Sequence, residues 1–196
     1  MRIVLEKVDN TLFEWIKERF SPDFLKKLVG PYKEQKLIKY WYLKDYFSID
    51  DEKQLLTIWQ KHQYNNEYFS TSYSWDLIFL MVDSEKIWID LEVIWERSNI
   101  MLDYYTDKDY TILWMKKDWK AFYTIRTAEE ALLKALDLRC LEETKNFKLI
   151  GYTPKNIVLD KLSFSSELFF KYKDVVYYVL VWEKEKICYS VCRIKK

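Results

Sequence analysis

The sequence predicts an α+β protein of two lobes, each with helices packed on a small, mainly antiparallel sheet. Helical patterns followed by a run of short strands occur twice along the 196 residues, so we place the lobes at 1–97 and 98–196. Hydrophobic residues make up 49% of the chain, which is ample for a core. With only 2 Gly and 3 Pro, the chain offers little material for flexible linkers.

The first lobe is predicted to open with a strand and three helices. Residues 2–7 alternate apolar and polar side chains, as a half-buried strand does. Asn10 or Thr11 is suited to cap a first helix. A second helix is indicated from Ser21, because a proline and an acid follow this cap residue. A longer helix is predicted over 32–47, with its apolar side chains on one face.

Strands are predicted next. Residues 55–59 combine aliphatic and aromatic side chains, which favours a strand. Residues 77–82 are apolar at every position, so this strand should lie in the middle of a sheet. The polar segment 83–86 indicates a turn, and we expect a hairpin between 77–82 and the strand 87–93.

The second lobe repeats this order of elements. A helical region around 104–115 is followed by a long helix from Trp119 to about Leu138. Three strands with short polar turns between them are then predicted, at 167–172, 175–182 and 187–194.

Composition excludes several classes of function. Lys and Arg total 32 against 31 Asp and Glu, and a net charge of +1 argues against a nucleic-acid-binding protein. The 3 cysteines form no C-x-x-C pair and the chain has 1 histidine, so we expect neither a disulfide framework nor a histidine-rich metal site. The run 77–82 is too short to span a bilayer, and charged residues begin at Arg2. We therefore expect a cytoplasmic protein that does not bind membranes.

Acidic residues on two predicted elements are the strongest functional signal. Asp90 and Glu92 alternate along a strand and therefore share one face. Arg126, Glu130 and Lys134 share one face of the long helix. One interpretation is a solvated acid pair and a surface ion-pair ladder. The other is that three carboxylates meet around a hard cation that handles phosphate.

Three segments, taken together and in order, carry a resemblance to a known family: FSTSYSWDL at 69–77, WIDLE at 88–92 and FYTIRTAEEALLK at 122–134. They resemble the 4'-phosphopantetheinyl transferases of the two-lobed, surfactin-synthetase-activating type. That family has the motifs F-N-x-S-H-S, then G-V/I-D-I/V/L-E, then F-F/Y-x-x-W-T/S-x-K-E-A-x-x-K. Weaker likenesses at 21–24, 59–69 and 104–109 extend the resemblance over most of the chain.

The resemblance implies that the two α/β lobes are pseudo-symmetric and that coenzyme A lies in the cleft between them. It also implies transfer of the phosphopantetheine arm of coenzyme A to a serine of an acyl or peptidyl carrier protein. It implies a Mg²⁺ ion held by Asp90, Glu92 and Glu130, an ion that suits hard oxygen ligands and phosphate. Glu130 has a catalytic role in this scheme, Asp109 stands where an acid helps to deprotonate the serine, and Lys134 is placed to contact a phosphate. We expect a monomer.

The side chains that the resemblance assigns to coenzyme A binding are Tyr73, Ser72, Arg126, Lys134 and Lys36, the last in an approximate register. Several positions depart from the family motifs. Tyr73 replaces a histidine, Asn66 a lysine, Glu129 a lysine and Ser70 an asparagine, while Arg126 stands at a tryptophan position. Glu129 reverses a charge beside an anionic ligand, which costs binding free energy. Arg126 either restores a cation or pairs with Glu129.

Two functional hypotheses remain open at this stage. One is an active, divergent phosphopantetheinyl transferase with a remodelled coenzyme A pocket. The other is a catalytically inactive relative that binds a carrier protein or acts as a scaffold. A structural domain whose acids coincide by chance is a third, less favoured reading.

Overall fold

The computed structural model describes residues 1–28, 30–138, 140–159 and 162–193, without the side chains of residues 59–61, 141 and 184. The predicted α+β class is confirmed, with several helices and two antiparallel sheets. The chain divides into two compact units, Met1–Ser84 and Glu85–Lys196. The sequence had placed this division at 97/98. The difference arises because the strand at Ile87–Val93 belongs to the sheet of the second unit.

The first unit packs its helices on an antiparallel sheet of strand order β1-β4-β3-β2. Its core joins apolar side chains of the helices to those of β1, β3 and β4. Its elements are β1 (Arg2–Lys7), α1 (Asn10–Lys17), α2 (Pro22–Lys27), α3 (Lys33–Phe47), α4 (Glu52–Lys61), β2 (Gln63–Tyr64), β3 (Glu67–Ser74) and β4 (Leu77–Asp83).

Helix starts in this unit follow capping chemistry. The Ser21 hydroxyl accepts a hydrogen bond from the Phe24 backbone N–H, so α2 begins where the sequence predicted. α1 is capped by Asp9 rather than by Asn10 or Thr11, because the Asp9 carboxylate accepts from the Leu12 N–H. These bonds satisfy backbone donors that have no partner inside the helix.

The strand predicted at 55–59 is wrong, because these residues belong to α4. The Asp51 carboxylate accepts from the Lys53 N–H and caps this helix. Leu55 and Ile58, three positions apart, are both buried on its inner side. Helical spacing therefore outweighed the strand preference of the aliphatic and aromatic side chains.

The second unit is built around a five-stranded antiparallel sheet of order β5-β9-β8-β7-β6. Its long helix packs on strands β5, β8 and β9. Its elements are β5 (Ile87–Val93), a 3-10 helix (Asn99–Tyr104), α5 (Asp107–Ile112), α6 (Trp119–Ala135), a second 3-10 helix (Leu141–Asn146), β6 (Lys148–Leu159), β7 (Leu162–Tyr172), β8 (Val175–Lys184) and β9 (Ile187–Arg193).

The predicted hairpin between 77–82 and 87–93 is also wrong. β4 pairs with β1 and β3, whereas β5 pairs with β9, about a hundred residues later in the chain. The helix predicted around 104–115 is shorter, since a 3-10 turn precedes α5 and the helix ends at Ile112. β6 was missed. The end of the last predicted strand, Ile194, lies outside the described residues.

No helix among the described residues has the length and the apolar character that crossing a bilayer requires.

A candidate metal centre on β5 and α6

The carboxylates of Asp90, Glu92 and Glu130 come together within the second unit. A ligand oxygen of each lies within 4.8 Å of a ligand oxygen of the other two. Asp90 is buried, with 2% of its surface exposed, and the other two acids are half-buried. The convergence that the sequence predicted is therefore present, while the role of these side chains as metal ligands stays a prediction.

Hydrogen bonds between α6 and β9 position Glu130 over β5. The Ser190 hydroxyl donates to the Thr127 backbone oxygen at 2.7 Å, and the Thr127 hydroxyl lies 3.2 Å from the Cys188 sulfur. Ser190 and Cys188 are the β9 partners of Asp90 and Glu92 in the antiparallel ladder. Because β9 pairs with β5 and also hydrogen-bonds to α6, it fixes the position of the strand acids relative to the helix acid.

Two cations pair with two of the three acids. Lys134 Nζ lies 2.7 Å from Asp90 Oδ1 and also donates to the Ile89 backbone oxygen at 3.1 Å. Arg126 Nη2 lies 2.8 Å from Glu130 Oε1. Arg126 thus pairs with Glu130 across one helical turn, and not with Glu129 as one reading of the sequence suggested.

The electrostatics of Glu130 reflect both its burial and its charged neighbours. Burial raises the pKa of Glu130, the negative charge of Asp90 raises it further, and Arg126 and Lys134 oppose both effects. Ionisation of Glu130 is therefore disfavoured by its burial and by Asp90, and favoured only by the nearby cations. A divalent cation would stabilise the ionised carboxylates of the cluster.

The donor set fits a hard divalent ion. Carboxylate oxygens are the ligands that Mg²⁺ and Ca²⁺ prefer, and Mg²⁺ keeps several waters beside one or two carboxylates. Two oxygens on opposite sides of one Mg²⁺ lie about 4.2 Å apart. Oxygens that already lie within 4.8 Å of one another reach that spacing through a small side-chain movement.

A pocket of about 510 Å³ borders two of the three acids, Glu92 and Glu130. Glu92, Glu130, Arg126 and Arg97 contribute its charged groups next to the cluster. The rest of its lining is mostly apolar or aromatic: Ile100, Met101, Asp103, Tyr104, Phe122 and Tyr123. This volume lies in the range of small-molecule sites. Sequence reasoning missed Arg97, because Arg97 lies in an irregular segment whose neighbours no local pattern indicates.

Asp109 lies in a different environment from the acidic cluster. Its Oδ2 accepts from the Thr106 backbone N–H at 2.8 Å and from the Thr106 hydroxyl at 2.7 Å, which forms a capping box at the start of α5. Asp109 and Glu129 border a second pocket of about 340 Å³. Capping explains an acid at this position, and the predicted catalytic role stays a prediction.

Glu129 is buried on the same helix. Burial raises the pKa of its carboxyl to about 8, against the opposing effects of a hydrogen bond from the Tyr105 hydroxyl and of the charge on Arg126. The Tyr105 oxygen lies 2.7 Å from Glu129 Oε2. Glu129 is therefore part of a buried hydrogen-bonded pair. Its place in the motif, where the family has a lysine, did not indicate this setting.

The remaining predicted coenzyme A residues belong to the first unit. Ser72 and Tyr73 lie on β3 and Lys36 lies on α3. Ser72 is buried, and burial raises the pKa of Tyr73 above its ordinary value. The Tyr73 ring stacks on Tyr32 with 6.1 Å between ring centroids and packs against the core of that unit. Their assignment to coenzyme A stays a prediction.

Comparison with models of known protein families gives no match for this chain, and comparison with curated proteins gives none either. The motif resemblance and the geometry of the acidic cluster with its pocket are therefore the observations that bear on function.

Proposed function

We propose that the chain is a magnesium-dependent 4'-phosphopantetheinyl transferase, which moves the phosphopantetheine arm of coenzyme A to a serine of an acyl or peptidyl carrier protein. The observation that supports this most directly is the meeting of three carboxylates from β5 and α6 beside a pocket with two arginines. With this function we also propose that the two units correspond to the two lobes of that family.

Asp90, Glu92 and Glu130 are the residues that would hold the ion. When bound, Mg²⁺ neutralises charge on the diphosphate of coenzyme A and on the leaving oxygen. Coenzyme A carries a diphosphate, so its affinity for the site should depend on these three side chains.

The cations of α6 have a second task in this proposal. Lys134 and Arg126 lie at the carboxylates, so they are within reach of phosphate oxygens that approach the same acids. The apolar part of the pocket wall, which includes Met101 and Phe122, suits the uncharged pantetheine chain and limits access of water.

The transfer itself forms one bond and breaks one. The serine oxygen bonds to the proximal phosphorus, the bond from that phosphorus to the bridging oxygen breaks, and 3',5'-ADP leaves. The serine proton passes to a carboxylate. We assign the role of proton acceptor to Glu130 rather than to Asp109, because Glu130 borders the pocket at the cluster, whereas the Asp109 side chain belongs to the capping box of α5.

Intact-mass measurement of carrier proteins tests the proposal. The purified chain, Mg²⁺ and coenzyme A are incubated with a panel of apo carrier proteins, and the expected result is a mass gain of one phosphopantetheine on at least one of them. Asp90→Asn should abolish the gain, whereas Asp174→Asn, at an exposed surface ion pair, should not. No gain with any carrier would contradict transferase activity.

A second function has one observation in its favour. Lys134 and Arg126 each form an ion pair with a cluster acid, and such ion pairs are also expected of acids that hold no metal. An inactive relative that binds a carrier protein would show complex formation by calorimetry, with no mass gain and no effect of Mg²⁺ on the affinity.

A further inference from the structure

Arg97 is a cation of the cluster pocket that no motif of the sequence includes. It follows β5 in an irregular, exposed segment and borders the pocket together with Glu92 and Glu130. We propose that Arg97 binds a phosphate group of the pocket's ligand and thereby selects diphosphate esters over uncharged molecules of similar shape. This inference rests on the proposed function, since it concerns the ligand of the same site.

The side chain of Arg97 contacts two uncharged aromatic residues, Trp95 and Tyr123. Its guanidinium carbon lies 4.4 Å from the centroid of the Trp95 ring, a cation–π contact with a neutral partner. Its charge also acts on the Tyr123 hydroxyl, where it opposes the rise in pKa that burial causes. Arg97 and Glu92 both line the pocket, as does Tyr123 itself.

The other cations near the cluster are engaged differently. Arg126 and Lys134 each form an ion pair with a candidate ligand acid, at 2.8 Å and 2.7 Å. A ligand must compete with those carboxylates for them. Within the part of the chain that the structure describes, Arg97 forms no ion pair, so a phosphate that reaches it displaces no carboxylate. The phosphate gains a planar donor group suited to two of its oxygens.

The remaining charge in the pocket favours the same ligand class. Asp103 also borders the pocket, but its carboxylate lies 2.6 Å from Lys117 Nζ, which neutralises it. Glu92 and Glu130 would repel an anion unless a divalent ion bridges them to it. The pocket therefore suits a ligand with a metal-bound phosphate, a phosphate oxygen at Arg97, and an apolar portion against Ile100 and Met101.

Calorimetry with Mg²⁺ and inorganic diphosphate tests the inference on the full chain. Diphosphate is titrated into protein saturated with Mg²⁺, for the wild type, Arg97→Gln and Arg97→Lys. Arg97→Gln should weaken diphosphate binding roughly 10- to 100-fold, the loss expected for charge-assisted hydrogen bonds. The diphosphate affinity of Arg97→Lys should fall between those of the wild type and Arg97→Gln. Affinity for Mg²⁺ alone should not decrease in either variant, because Arg97 is not a ligand.

Arg19→Gln is the matched control. Arg19 is an arginine of the first unit whose guanidinium stacks on the exposed Trp15 ring at 3.4 Å, and it does not border the pocket. Arg19→Gln removes the same charge and the same kind of ring contact as Arg97→Gln does. Its diphosphate affinity should equal that of the wild type at constant ionic strength.

The outcomes separate this inference from the function on which it rests. If the wild type transfers phosphopantetheine and binds diphosphate, while Arg97→Gln binds it as tightly as Arg19→Gln does, Arg97 is not a phosphate-binding residue and the proposed function stands. A wild type that binds Mg²⁺ but no diphosphate overturns the inference. A wild type that binds no Mg²⁺ overturns the metal centre and the inference together.

Discussion

Arg126 has two possible partners in the proposed site, and they compete. Without a ligand it pairs with Glu130 at 2.8 Å, and that carboxylate is also a candidate metal ligand. A divalent ion at the cluster would repel the guanidinium, so metal binding and the Arg126–Glu130 ion pair oppose each other. A bound phosphate would reverse this effect, because it attracts both the metal and the arginine.

Arg126→Gln should therefore strengthen the binding of Mg²⁺ alone and weaken the binding of diphosphate. Removing the positive charge of Arg126 should change the free energy of Mg²⁺ binding by about 1 kcal/mol in a partly solvated site. This corresponds to roughly fivefold in the dissociation constant. Calorimetry with each ligand measures both effects. Lys120→Gln is the control, since Lys120 lies on the same helix and pairs with Glu183.

The opposite result would assign Arg126 differently. If Arg126→Gln weakens the binding of Mg²⁺ alone, the arginine positions Glu130 for the metal. A circular dichroism spectrum equal to that of the wild type would show that the change is not caused by unfolding. Unchanged affinity for both ligands would place the metal away from Glu130.

At the scale of elements, the capping box of α5 accounts for Asp109. The Asp109 carboxylate accepts from the backbone and the hydroxyl of Thr106, and the Thr106 hydroxyl accepts from the Asp109 N–H. α5 has only 6 residues, so its start depends strongly on these bonds.

Asp109→Ala should lower the free energy of unfolding by about 1 kcal/mol, because it removes the carboxylate half of the capping box while the Thr106 cap remains. Asp109→Asn should cost less, because its amide oxygen can still accept from Thr106, and it should keep transfer activity. Urea denaturation measures the first effect and the carrier-protein mass assay the second. An Asn variant of wild-type stability that transfers nothing would instead support the base role that the resemblance implies.

Elements with local signals were predicted well, and those that depend on distant partners were not. α2 and α6 begin at the predicted residues because a side-chain cap and its helix are neighbours in sequence. The partner of β5 is β9, and the turn residues between β4 and β5 do not indicate this pairing, because the two strands are far apart in sequence. In α4, two buried positions set the helix while the residue types favoured a strand.

At the scale of the whole molecule, the proposed metal centre lies entirely within the second of the two units. Asp90, Glu92 and Glu130, with their counter-ions, all belong to the unit Glu85–Lys196. The sequence could predict that the acids share faces of a strand and a helix, because those periodicities are local. It could not supply Arg97 or the pocket, because loops acquire neighbours only through the fold.

Each unit has a hydrophobic core of its own. The core of the second unit joins α6 to the sheet that carries β5, and hydrogen bonds from Thr127 and Ser190 fix the same pair of elements. The atoms that set the acid–acid distances thus lie within residues 85–193. A domain with its own core can fold alone, and this length is ordinary for a domain.

A fragment of residues 85–196 should therefore fold and bind Mg²⁺ with a dissociation constant within roughly threefold of that of the full chain. Circular dichroism and calorimetry measure these two properties, and Asp90→Asn in the fragment should remove the binding. Transfer activity is not expected from the fragment, because the resemblance assigns Ser72, Tyr73 and Lys36 to coenzyme A. A folded fragment without Mg²⁺ affinity, beside a full chain that binds the ion, would show that the first unit contributes to the metal centre.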